Sequence, residues 1–322
     1  MKKNILITGG AGFIGSHLAE KLLEEKHSVV ALDDLSTGSD SNISSPKNSP
    51  DFSFIEGSIL NQELINQLVE SVDGVIHLGA ALGVKRILDF PYKSFIANTQ
   101  GTENVILAAT KFKKRVFIAS TSEIYGKNPD QPLREDSDRV IGSPQLLRWA
   151  YSEAKAIDES LAQMFYQSHG LEYVVGRFFN TVGPRQSGMY GMVLPRFVSA
   201  ALKGEDLEVH GDGSQSRTFC HVLDSVDAVS RLFFSDKTLG QAFNIGGEGE
   251  ISINDLAQKV IEATGSKSAI KYVPYRSVYP EGFDEMMRRV PDTSKLRSYT
   301  DWSPKRNLDE IIKDIQSHLR AK

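Results

Sequence analysis

Tyr151-Ser152-Glu153-Ala154-Lys155 is the arrangement in this chain best suited to moving a proton. At i, i+4 on a helix the phenol and the ammonium share one face, one turn apart. A free phenol ionises at about pH 10, and a neighbouring cation stabilises the phenolate and lowers that value. On its own, Tyr-x-x-x-Lys is frequent by chance and does nothing on an exposed face. Its company gives it weight. Ser120-Thr121-Ser122-Glu123 closes a β-branched run, and open parallel sheets bind ligands beyond the carboxyl ends of their strands. Thr121 is therefore expected beside Tyr151.

A second constellation handles phosphate. Thr8-Gly9-Gly10-Ala11-Gly12-Phe13-Ile14-Gly15 sits between a strand-like run and a helix-like one. Gly10, Gly12 and Gly15 fit the dinucleotide fingerprint, and Gly9, Gly12 and Gly15 fit its variant with wider first spacing. Without side chains the backbone turns tightly and approaches a pyrophosphate, which the helix N-terminus then stabilises. Phe13 and Ile14 belong to that contact. The second strand ends in Asp33, at the distance where an acid accepts from an adenosine ribose 2′-hydroxyl. An acid there repels a 2′-phosphate, so NAD is expected rather than NADP.

The elements that must position these groups follow from periodicity. Asn4–Thr8, Val29–Asp33, Phe52–Ile59, Gly74–Ala80, Arg115–Ser120 and Glu172–Phe178 are short apolar runs. Gly12–Lys26, Asn61–Glu70, Asn98–Lys111 and Trp149–His169 carry apolar residues at three- and four-residue intervals. Near-continuous hydrophobic strands alternating with helices predict a parallel sheet covered on both faces, a doubly wound α/β (Rossmann) fold. After Asn180 the rhythm loosens, punctuated by Pro184, Pro195, Pro274, Pro280, Pro291 and Pro304, with turns at Gly211–Gly213 and Gly246–Gly249. The expected division is a dinucleotide-binding domain over 1–180, with return segments near 218–247. A smaller α/β substrate lobe takes 181–217 and 248–322. Gln241–Gly247 is expected to rejoin the first sheet, and Ser36–Pro50 reads as a surface loop.

Composition narrows the classes. The 322 residues are 40% hydrophobic and 24% charged, which excludes disordered, collagenous and coiled-coil chains. Lys plus Arg (37) against Asp plus Glu (41) gives a net charge of −4, with no sign of nucleic-acid or membrane-surface binding. No apolar run approaches the roughly 18 residues of a membrane span. Met1-Lys2-Lys3 runs straight into a strand, so no signal peptide is expected and a reducing cytoplasm is the expected location. Cys220 is the single cysteine, read as a small buried residue. His77 is read as a satisfied core histidine, and the seven histidines lack metal-ligand spacing, so no metal is expected. Leu161–Phe165 is read as core or subunit interface.

Taken together, these motifs resemble the NAD-dependent nucleotide-sugar epimerase/dehydratase family, the extended short-chain dehydrogenase/reductases. The likeness spans the glycine cradle, Asp33, His77-Leu78-Gly79-Ala80, Asn98-Thr99-Gln100-Gly101-Thr102, Ser120–Gly126, Tyr151/Lys155, Arg177-Phe178-Phe179-Asn180, Gly183-Pro184-Arg185 and Gly211–Arg217. It implies a bound NAD contacted also by Ser58, Ile59, Leu78, Ala80 and Asn98. A nucleoside-diphosphate sugar, UDP-linked, is expected in the cleft between lobes, and a homodimer is expected. By the same resemblance Asn180 and Arg217 hold the substrate diphosphate, with Arg185, Val193 and Arg289 among the substrate contacts. The shared step is oxidation at sugar C4. Tyr151 removes the hydroxyl proton, Thr121 hydrogen-bonds that oxygen, and Lys155 tunes the phenol and holds the nicotinamide ribose. A protein that merely binds NAD would have no need of this set.

Glu123 bears on the branch. A 4-epimerase needs no acid/base group there, whereas relatives that react at C5 carry one. Ser122-Glu123 is similar to UDP-glucuronate decarboxylases and GDP-mannose 4,6-dehydratases. Arg148-Trp149-Ala150-Tyr151 and Arg288-Arg289-Val290-Pro291-Asp292 are similar to decarboxylase segments, and Glu281-Gly282-Phe283-Asp284 replaces the epimerase Arg-x-Gly-Asp. Gly183–Gln186 with Tyr190-Gly191-Met192-Val193-Leu194-Pro195 is closer to hexose 4-epimerases. Decarboxylase chemistry is therefore favoured slightly, with 4-epimerase and 4,6-dehydratase as the alternatives.

Overall fold

The computed structural model describes residues 1–81, 89–188, 192–278 and 285–321. Tyr190, Gly191, Pro280 and Glu281–Asp284 lie outside the described residues. The first part of the chain runs β1 (Asn4–Thr8), α1 (Phe13–Glu24), β2 (Ser28–Asp33), β3 (Phe52–Glu56), α2 (Gln62–Ser71), β4 (Gly74–His77), α3 (Pro91–Lys111), β5 (Arg115–Thr121), α4 (Ala150–His169) and β6 (Tyr173–Phe178). It continues with β7 (Thr181–Val182), α5 (Val193–Lys203), β8 (Leu207–His210), β9 (Ser216–Arg217), β10 (Cys220–His221), α6 (Val222–Phe234), β11 (Gln241–Ile245) and β12 (Ile251–Ser252). The last elements are α7 (Ile253–Thr264), β13 (Ile270–Val273), β14 (Arg288–Arg289), α8 (Ser294–Thr300) and α9 (Leu308–Arg320).

Seven strands form the central sheet in the order β11-β6-β5-β4-β1-β2-β3, every pair parallel. This is the expected doubly wound fold, and Gln241–Ile245 does return to its edge beside β6. Alternate residues of one strand serve opposite faces. Ile5 and Ile7 pack with α1 and α6, through Leu18, Leu22, Val226 and Val229. Leu6 faces α2 and α3, through Ile65, Leu68, Val105 and Ala109. A third core gathers Leu194 and Phe197 of α5, Leu256 and Val260 of α7, and Ile311 and Ile312 of α9.

Boundaries differ from the expected ones for local reasons. Helix α3 begins at Pro91 rather than Asn98, because proline's fixed φ suits a first helical position, although the residues its first turns bury, Ser94 and Asn98, are polar. Helix α2 starts one residue later than Asn61, whose side chain caps it by accepting from Leu64 N at 3.1 Å. The Ser36–Pro50 loop holds two short 3-10 turns, and its Ile43 is buried. Leu161 and Phe165 pack against the core while Met164 is exposed. Cys220 is buried and accepts from Ser225 Oγ at 3.4 Å; burial pushes its thiol up to about 12.

Candidate active site

A cavity of about 500 Å³ runs along the carboxyl edge of the sheet. At one end lies the glycine turn, where the strand order reverses between β1 and β4. Gly9 adopts φ +72°, and a Cβ on it would lie 2.9 Å from Gly79 N. A Cβ on Gly15 would collide with the Gly9 carbonyl oxygen. Gly12 is the N-cap of α1, and no side chain caps that helix, so its first-turn donors are available to an anion. Gly9, Gly12, Phe13, Ile14 and Gly15 all line the cavity.

Asp33 ends β2 at the same cavity. Its Oδ2 accepts from Ala11 N at 3.0 Å and its Oδ1 from Leu35 N at 2.8 Å. Burial raises this carboxyl above its ordinary range, against the pull of those two N–H groups. Ser58, Ile59, Leu78 and Ala80 also line the cavity. Asn98 does not: its amide clasps the Ala81 backbone instead, accepting from N at 2.7 Å and donating to O at 3.1 Å. Glycine turn, uncapped helix and acid together form a shape and donor set that fit a dinucleotide.

Tyr151, Lys155 and Thr121 all line the same cavity. Thr121 closes β5, and its Oγ1 accepts from Glu123 N at 3.2 Å. The phenol and the ammonium do not form the simple pair expected. Burial drives the Tyr151 phenol upward, and the charges of Glu123 and Asp158 add to that. Lys155 is engaged elsewhere: its Nζ lies 3.0 Å from Asp158 Oδ2, with both side chains buried. The phenol is therefore neutral in the unliganded chain.

From Asp158 a line of buried polar contacts leads to the glycine turn. Thr102 Oγ1 lies 3.0 Å from Asp158 Oδ2 and 2.6 Å from Asn98 O, and its single proton serves one of them. His77 Nε2 meets Thr102 Oγ1 at 3.1 Å, and Nδ1 meets Thr8 Oγ1 at 2.7 Å. Thr8 Oγ1 also accepts from Gly79 N at 3.1 Å. Burial, with the nearby Lys155 charge, lowers the His77 imidazole to about 3, so it is neutral. His77 is the satisfied core histidine its strand context indicated.

A charge cluster lines the same cavity as Tyr151. Glu123 Oε2 pairs with Arg148 Nη1 at 2.6 Å, and Oε1 lies 3.6 Å from Arg289 Nη1. Burial alone would raise the Glu123 carboxyl; the Arg148 and Arg289 guanidiniums outweigh it and hold it below its ordinary value. Arg289 is pulled down to about 10 by burial and then by Arg217, and stays charged at neutral pH. Among the described residues, then, two guanidiniums face the Glu123 carboxylate. Arg289 Nη2 also donates to Asn180 Oδ1 at 2.8 Å, and Asn180 Nδ2 donates to Thr218 O at 2.8 Å.

Arg217 lines the cavity and is paired with Glu285 at 2.9 Å. Arg185 lines it too, tied to α1 through Ser16 Oγ at 3.2 Å and Glu20 Oε1 at 2.7 Å. Val193 borders it at the start of α5. Sequence reasoning passed over Arg148 and Asp158 as site residues. Arg148 was visible in Arg-Trp-Ala-Tyr. Asp158 follows Lys155 by three and Tyr151 by seven, which is the same helix face, and that spacing was the available signal.

Fold and site define an α/β enzyme that binds a dinucleotide beside a tyrosine–lysine pair. The chain belongs to the NAD dependent epimerase/dehydratase family, whose model matches residues 5–246, and NAD is its cofactor. It is 42% identical to the UDP-N-acetyl-alpha-D-glucosaminuronate decarboxylase of Bacillus cytotoxicus, over 99% of this chain and 98% of that one. It is 35% identical to UDP-glucuronic acid decarboxylase 5 of Arabidopsis thaliana, over 99% of this chain and 89% of that one. The UDP-glucose 4-epimerase of Thermotoga maritima, solved with UDP-glucose, superimposes with a TM-score of 0.89 at 29% identity, covering 99% of each chain.

Proposed function

We propose that this enzyme decarboxylates a UDP-linked uronic acid through a transient ketone at sugar C4. The observation that carries the reading is the pair of guanidiniums, Arg148 and Arg289, that meet Glu123 in the lining of the cavity that Tyr151 also lines. A sugar carboxylate calls for that charge; a neutral hexose does not. The enzyme acts on a nucleotide sugar, and the relatives named for decarboxylating UDP-linked uronates support the same branch.

In this reading the glycine turn, the α1 N-terminus and Asp33 hold NAD, with Ser58, Ile59, Leu78 and Ala80 around it and Asn98 shaping the Ala81 loop. When bound, NAD would supply the hydride acceptor for C4 and the hydride donor for its later reduction. Tyr151 acts after losing its own proton: as the phenolate, steadied by Lys155, it takes the C4 hydroxyl proton, while Thr121 hydrogen-bonds the same oxygen and Lys155 holds the nicotinamide ribose. With C4 a ketone, the carboxylate at C5 is β to a carbonyl. The C5–C6 bond breaks, CO₂ leaves, and the electron pair moves onto the C4 oxygen. Tyr151, now protonated, and Thr121 donate to that enolate. A proton enters at C5, and after C4 is reduced Tyr151 gives its proton to the C4 oxygen. Glu123, ionised and shared by two guanidiniums, is a poor base. That weighs against the 4,6-dehydratase branch, where a group must take the C5 proton. Arg217, Asn180 and Arg185 serve the phosphates, and Val193 the nucleoside.

The same reading divides the chain into a dinucleotide domain (1–180, with 218–247) and a substrate lobe (181–217 and 248–322), supported by the third core of α5, α7 and α9, although Leu296 and Trp302 pack into the first core. It places a homodimer in the cytoplasm, supported by exposed Leu107, Ile157, Met164 and Tyr166 on α3 and α4. No described helix is long and apolar enough to cross a membrane. The test is mass spectrometry of products from UDP-glucuronate and UDP-N-acetylglucosaminuronate incubated with the NAD-loaded protein. Loss of CO₂ from either supports the reading. A product of unchanged mass and new retention time, or turnover of UDP-glucose alone, overturns it.

A further inference from the structure

Asp158 has no role in the chemistry just described, yet it is the group that Lys155 pairs with. Its carboxylate lies on the same face of α4 as Tyr151 and Lys155, three residues after the lysine, and is 1% exposed. Oδ2 accepts from Lys155 Nζ at 3.0 Å and lies 3.0 Å from Thr102 Oγ1. Oδ1 is buried and has no hydrogen-bond partner among the described residues. A buried carboxylate oxygen without a donor is costly, and a methyl group would fill such a position without that cost.

We propose that Asp158 is a positioning residue that sets how tightly the Tyr151 phenol keeps its proton, by engaging the Lys155 ammonium and offsetting its charge. The proposal rests on the Tyr151–Lys155 reading of proton transfer above. Seen from the phenol, a lysine bound to a carboxylate at 3.0 Å acts nearly as a dipole, and a dipole stabilises a phenolate far less than a lone cation does. The other charged or titratable groups around the pair, among the described residues, have partners of their own. Glu123, from the turn after β5, is held by Arg148 from the turn before α4 and by Arg289 of β14. Glu159 on α4 pairs with Arg177 of β6 at 2.7 Å. His77 of β4 is neutral. Among the described residues Asp158 is the carboxylate bound to Lys155, so it governs how much of the Lys155 field reaches Tyr151, while Glu123 and then Asp158 push the phenol up directly.

Asp158→Asn keeps the shape and removes the charge. The experiment uses NAD-loaded protein carrying ¹³Cζ-labelled tyrosine, with the Tyr151 resonance assigned by its loss in Tyr151→Phe and followed against pH. Asp158→Asn should titrate about one pH unit or more below the parent, a tenfold weaker hold on the proton. Asp158→Glu should restore the parent midpoint. Asp158→Ser serves as a second uncharged variant if the asparagine protein does not fold. Equal midpoints in the parent and an uncharged variant, or a Tyr151 that stays protonated to the same pH in both, would overturn the proposal. The acid limb of kcat/KM with UDP-glucuronate should move down by the same amount. If UDP-glucuronate is not turned over, the substrate reading fails while the tyrosine titration still decides the role of Asp158.

Discussion

Replacing Arg289 by glutamine separates the two duties open to that guanidinium. In the structure its side chain is 13% exposed, lies 3.6 Å from Glu123 and donates to Asn180 at 2.8 Å. Glutamine retains an N–H for Asn180 but cancels the charge, so the cluster loses one of its two guanidiniums on Glu123. A guanidinium and a carboxylate at roughly 4 Å, in an effective dielectric near 20, attract by about 4 kcal/mol. Losing that contact with the sugar acid lowers kcat/KM for a UDP-uronate by about 10²–10³. UDP carries no C6 carboxylate, so its dissociation constant should change by less than about threefold. The assay pairs CO₂ release from UDP-glucuronate and UDP-N-acetylglucosaminuronate with calorimetric titration of UDP, and a melting curve checks that the variant is folded. If UDP binding weakens as much as turnover, Arg289 serves the diphosphate and the carboxylate assignment is refuted. Decarboxylation within about threefold of the parent refutes any role at the acid.

Tyr151→Phe should bind NAD normally and lose a factor of about 10² or more in turnover; near-full activity would remove Tyr151 from proton transfer. NAD should bind far better than NADP because Asp33 stands at the end of β2 in the cavity, and equal affinities by titration would contradict that. Gly15→Ala drives a Cβ into the Gly9 carbonyl, so NAD affinity should collapse and stability fall by about 1–3 kcal/mol, both measurable by titration and denaturant unfolding. The His77 imidazole is lowered from 6.5 to about 3, so between those values the unfolded chain binds a proton that the fold does not, and stability falls as pH drops. Unfolding free energies between pH 7 and 4 should show roughly 3 kcal/mol of this loss in the parent and a flatter profile in His77→Asn; parallel profiles would contradict it.

What could be read in the sequence divides along physical lines. Strand interiors such as Ile5-Leu6-Ile7 are apolar on both faces, which states a covered parallel sheet directly, and the glycine turn needs no tertiary information because its constraint is local. The start of α3 was missed because the positions its first turns bury, Ser94 and Asn98, are polar, so no apolar stripe marks the buried face. Pairings between distant segments were the least legible. Arg289 reaches Glu123 across 166 positions of chain, and which side of Glu123 Arg148 would occupy depends on how the turn before α4 packs. The expectation of a simple tyrosine–lysine pair went astray for a related reason: helical spacing puts Lys155 near Tyr151 but equally near Asp158, and burial decided in favour of the carboxylate.

The central claim, that C4 is oxidised and then reduced at one site beside Tyr151, is tested most directly with a UDP-uronate carrying deuterium at C4. The account predicts a slower first turnover, a transient absorbance of reduced coenzyme, and a UDP-pentose that keeps the deuterium on C4. A product formed with no coenzyme signal and no isotope effect would contradict it.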